Sequence, residues 1–167
     1  MINTWNPKTD GHFINDFRGK LLKKDFLQTD IDVIVENAKD ALSKTIDPKN
    51  PNQNNETFKT NLVLGYIQSG KTTSMEAVSC LARDNGFKLM IILSGHVSNL
   101  ADQTEERVYE SLDQFGWNRI PIKSGQKPQL EKDLSLFKDL IGSDETLFIE
   151  EEEKPAGLIV LRSEERR

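Results

Sequence analysis

The chain has 167 residues, 36% hydrophobic and 29% charged, with a formal net charge of −5; that is enough for one domain with a sizeable core and too little for two full lobes. No apolar run approaches the length of a membrane span, the N-terminus MINTWNPKTD lacks a secretory apolar core, and the single cysteine excludes a disulfide framework or a cysteine zinc site. The acidic balance argues against a basic nucleic-acid footprint over the whole domain, though not against a local one, and a cytoplasmic protein is expected.

Residues 10 to 24, DGHFINDFRGKLLKK, predict a short helix whose apolar face carries Phe13, Phe17 and Leu21 at spacings of four, with Ile14 alongside. Arg18, Lys20, Lys23 and Lys24 make its other side basic, which reads as a solvated face before it reads as a phosphate contact. His12 has no histidine or cysteine near it and is expected to be exposed. A second helix is predicted from about residue 30 to 45, capped by Thr29 or Asp30, with Ile31, Ile34, Val35, Ala38 and Leu42 as its stripe. The run DPKNPNQNNE at 47 to 56 has two prolines and no apolar residue, so it reads as a connector.

Residues 61 to 75, NLVLGYIQSGKTTSM, carry the chemistry. Gly65, four intervening residues, then Gly70, Lys71 and Thr72 match the Walker A pattern. Leu62, Val63 and Leu64 read as a strand buried on both faces, and Thr72 onward as a helix. The two glycines allow backbone conformations closed to residues with a Cβ, so that the N–H groups of Ser69, Gly70, Lys71, Thr72 and Thr73 can converge on phosphate oxygens at a helix N-terminus. Lys71 suits the β- and γ-phosphates of ATP and the Thr72 hydroxyl suits Mg²⁺; Gln68 is a loop position of less certain use.

Downstream, Met75, Val78, Leu81 and Ala82 continue an inward-facing stripe, Cys80 reads as a small buried hydrophobe, and Gly86 sits where a left-handed helix cap is wanted. LMIIL at 89 to 93 reads as a buried strand, so that strand, helix and strand imply a parallel crossover with ligand at the carboxyl ends of the strands. A turn at Ser94, Gly95, His96, Ser98 and Asn99 then leads into a helix over about 100 to 115, with Leu100, Thr104, Val108 and Leu112 on one face and Gly116 at its end. The polar turn suits a nucleic-acid backbone phosphate and equally suits a helix cap. Residues 118 to 122 read as extended, 130 to 141 as a helix, and 147 to 149 and 158 to 161 as short strands.

Hydrolysis through a phosphate loop also needs an acid at the end of a neighbouring strand. The run ending at Leu93 is followed by Ser94 and the run ending at Leu161 by Arg162; only Glu150 and Glu151 follow an apolar run at all. The ending RSEERR reads as a cut through an unfinished sheet, so the expectation is either a fragment or a protein that binds nucleotide and hydrolyses it poorly.

The run from Gly65 to Val108, with Gln68, Ser69, Gly70, Lys71 and Thr72, then Met75, Ser94, Gly95, Asn99, Gln103, Thr104 and Arg107, resembles the N-terminal ATPase segment of bacterial Z-one domain proteins. These are helicase-like and linked to endonucleases of restriction or phage-defence systems. The resemblance, over roughly residues 58 to 112, implies a RecA-like α/β core related to superfamily-two helicases, using ATP and Mg²⁺ on DNA. It also implies that Ser94, Gly95, His96 and Asn99 contact the nucleic acid, with Gln103 and Arg107 on the following helix. The acidic motif of such families comes after a strand resembling the one at 157 to 161, beyond the end of this sequence.

The expected architecture is therefore α/β: an N-terminal helical extension and linker over 1–57, then a P-loop NTPase domain over 58–167 with a partial parallel sheet flanked by helices. The expected function is an ATP-binding segment of a helicase-like, DNA-acting ATPase, completed by the remainder of the ATPase or by a nuclease domain, without a membrane. The alternatives are a module that binds nucleotide or a partner without hydrolysis, and a P-loop kinase.

Overall fold

The computed structural model describes residues 5–50, 59–63, 71–94, 106, 108–119 and 156–162. The contacts divide the chain into two units, Met1–Phe87 and Lys88–Arg167.

The first unit is built on three helices: α1 (His12–Leu22), α2 (Gln28–Ser43) and α3 (Lys71–Asp84). In α1 the apolar stripe is the one its spacing predicts, and Phe13, Ile14, Phe17 and Leu21 are all buried. In α2 the buried residues are Ile31, Val35, Ala38 and Leu42, with Ile34 only partly covered. The start of α2 differs from expectation. Leu27 is its N-cap and provides no side-chain cap, while Thr29 and Asp30 lie inside the first turn. There the Asp30 carboxylate favours the helix dipole without capping it.

Helix α3 packs against both α1 and α2, which touch each other far less. It is therefore buried around most of its circumference rather than along one stripe. Met75 and Val78, expected inward, are half-buried, whereas Glu76, Ala77 and every residue from Ser79 to Asn85 are buried. Ala77, Ser79, Cys80 and Ala82 are small enough to let two neighbouring helices approach. The helices of the expected extension over 1–57 pack with α3, and the contacts divide the chain after Phe87.

The N-terminus of α1 depends on α3. Gly11 is the N-cap and has no side chain with which to cap. The Asp84 carboxylate does so instead, accepting the Phe13 N–H at 3.0 Å and the Ile14 N–H at 2.9 Å. A Cβ at Gly11 would collide with that carboxylate. Next to it, Asn85 Oδ1 accepts the Lys8 N–H at 2.8 Å and Asn85 Nδ2 donates to the Lys8 carbonyl at 3.0 Å. The Arg83 guanidinium lies 5.1 Å over the Phe13 ring, and Trp5 stacks at 6.4 Å on Phe87.

Both α1 and α3 end in the same closure. At α3, Gly86 takes φ 92°, its N–H reaches the Arg83 carbonyl, and the Phe87 N–H reaches Ala82. At α1, Asp25 takes φ 62°, its N–H reaches Leu22, and the Phe26 N–H reaches Leu21. This is the paired Schellman pattern, with glycine at one end and, at the other, an aspartate of the kind that tolerates the left-handed region.

The expected strand at Leu62 to Leu64 does not form over the part described. Residues 61–63 have no strand structure, and Leu62 and Val63 are 83% and 72% exposed; Leu64 lies outside the described residues. An apolar run this short becomes a strand only where a ladder partner holds it, and none is present among the described residues.

The second unit holds a three-stranded parallel sheet in the order β1-β3-β2, with β1 Leu89–Ser94, β2 Asn118–Arg119 and β3 Gly157–Arg162. Leu89 pairs with Gly157 and Ser94 with Arg162. Within the unit Val108, Tyr109, Leu112, Phe115, Trp117 and Ala156 are buried. Residues 108–112 are helical and continue into a 3₁₀ turn at Asp113–Phe115, closed by Gly116 at φ 72°, as its position predicts. Asn118 pins the start of β2, since its N–H and its Nδ2 both reach the Ala156 carbonyl. β1 is less covered than its apolar run implies, because Ile91 is 52% exposed. The expected elements at 130–141 and 147–149 lie outside the described residues.

The trans cap yields a stability prediction. Asp84→Ala leaves two buried N–H groups without their acceptor and should cost about 2–4 kcal/mol in urea unfolding. Gly11→Ala should cost about 1–3 kcal/mol through the forced shift of the same carboxylate. Values for both within 0.5 kcal/mol of the unaltered chain would contradict the cap, since surface changes stay within about that range.

Candidate phosphate-binding site

Lys71 is the first described residue of α3, with Thr72 exposed and Thr73 half-buried after it. Gly65, Gln68, Ser69 and Gly70 lie outside the described residues. A helix leaves its first four N–H groups without intrahelical partners and gathers partial positive charge there. The first turn of α3 contains no acidic residue, and its last turn contains Arg83. Over its described residues the first turn of α3 therefore carries no side chain that would repel an anion.

The nearest acid along the helix, Glu76, is one turn further in, and it is neutralised. Lys20 of α1 donates to Glu76 Oε2 at 3.1 Å, with both side chains largely covered. Such a pair, short and partly desolvated, removes the negative charge that would otherwise repel phosphate from the start of α3. Lys20 is thus engaged within the fold rather than solvated, which differs from the expectation for that face. His12 does stand exposed, with Nε2 3.4 Å from Asp16.

In the second unit, Ser94, the last described residue of β1, pairs with Arg162, the last of β3, so both lie toward the carboxyl end of the parallel pair. Gly95, His96, Ser98, Asn99, Gln103 and Arg107, together with Glu150 and Glu151, lie outside the described residues. Among the described residues no group of three His, Cys, Asp or Glu side chains is placed to hold a metal. The expected Mg²⁺ set, one Thr72 hydroxyl and phosphate oxygens, is of a different kind and needs no such group. Among the described residues no helix is long and apolar enough to cross a membrane.

The roles of Asp84, Gly11 and Glu76 carry no local signal in the sequence. Asp84 and Phe13 are 71 positions apart, and only the packing of α1 on α3 joins them. No family model, no curated protein and no solved structure matches this chain.

Cys80 is fully buried, and its thiol is pushed up chiefly by burial, then by Asp84 and Glu76. It stays protonated and unreactive in the folded state. In the unfolded chain it ionises at about pH 8.5, so above that pH the unfolded state holds fewer protons and the cysteine's share of stability falls as pH rises. A thiol reagent at pH 8 should therefore leave the native chain unlabelled and label it fully in denaturant. Cys80→Ala should flatten the loss of stability between pH 8 and 10. Rapid native labelling would contradict the burial.

Proposed function

We propose that this chain is the ATP-binding segment of a helicase-like P-loop ATPase that acts on DNA, of a cytoplasmic restriction or phage-defence kind. The observation that supports the reading is that the Walker A residues Lys71 and Thr72 lie in a helix, α3, which exposes Thr72 and holds no acid in its first described turn. In this reading the N–H groups of Ser69, Gly70, Lys71, Thr72 and Thr73 bind the β-phosphate, and Gly65 and Gln68 shape the loop. Lys71 carries charge at the γ-phosphate and Thr72 holds Mg²⁺, which would supply charge neutralisation of the polyphosphate. Ser94, Gly95, His96 and Asn99 form the DNA-facing turn. The fold proposed is a RecA-like α/β core.

A second reading, a module that binds nucleotide without hydrolysing it, is favoured by one specific observation. Of the two long parallel strands, the paired residues Ser94 of β1 and Arg162 of β3 are the last described at the carboxyl end, and neither is a carboxylate that could orient an attacking water. On this reading the remainder of an ATPase or a nuclease domain completes the chemistry.

ATP binding and turnover by the full chain, with and without single- and double-stranded DNA, separate the two readings. Lys71→Ala should weaken ATP binding by about tenfold or more, the loss of one charge-assisted phosphate contact. DNA-stimulated turnover that vanishes in this variant supports the motor; saturable binding without turnover supports the module. Turnover that needs a small phosphate acceptor would instead indicate a kinase. ATP affinity equal in both chains would overturn nucleotide binding at this loop.

A further inference from the structure

We draw no further inference here: the strongest candidate, the exposed apolar patch of Leu22, Phe26 and Leu27 at the turn between α1 and α2, is flanked by cations and acids alike (Lys23, Lys24, Asp25, Asp30), and nothing in the structure shows what covers it.

Discussion

The first unit depends on one carboxylate. Asp84 closes the last turn of α3 and simultaneously satisfies two N–H groups at the start of α1, where Gly11 provides nothing of its own. The bond is local to neither helix, so α1 gains a satisfied N-terminus only when it lies against α3. Asn85 extends the same junction by gripping Lys8 in both directions, and Arg83 adds its guanidinium over Phe13. Buried polar groups of this kind are costly when unmatched and specifying when matched. Here they set which end of α1 meets which end of α3.

That antiparallel setting organises charge along α3. Its final turns are occupied by contacts to residues 5–14, and its middle is neutralised where Lys20 meets Glu76. Its first turn is left without an acid and with Thr72 exposed. The helix is fixed at the end remote from the proposed ligand and kept electrostatically open at the other. A rigid element bearing an anion site at one terminus is what precise phosphate binding requires. The second unit is organised on different terms, as a parallel sheet with β3 between β1 and β2.

The elements visible in the sequence were those whose reasons are local. The spacing of Phe13, Phe17 and Leu21 marks the buried face of α1, Gly86 and Gly116 mark left-handed closures, and a helix over Lys71–Asp84 follows the glycine-rich run. The elements that sequence alone misjudged have non-local reasons. Met75 and Val78 looked inward because a helix against a sheet has one buried stripe, whereas α3 packs on two helices. Leu62 and Val63 looked like a buried strand because apolar residues in a row resemble one, yet a strand exists only through its ladder. Lys20 looked solvated because its partner lies 56 residues away. The Walker A pattern is plain in the sequence, whereas the trans cap at the far end of the helix that follows it left no mark in the local pattern.

The central claim is that the N–H groups at the start of α3 bind phosphate while the far end of that helix holds α1. Amide ¹H–¹⁵N spectra recorded during titration with Mg·ATP, and with pyrophosphate as a minimal probe, test it directly. The account predicts saturable shifts concentrated at Gly70, Lys71, Thr72 and Thr73, with Phe13 and Ile14 unmoved because their acceptor is Asp84. Shifts that saturate elsewhere in the chain, with those four amides unchanged, would contradict it.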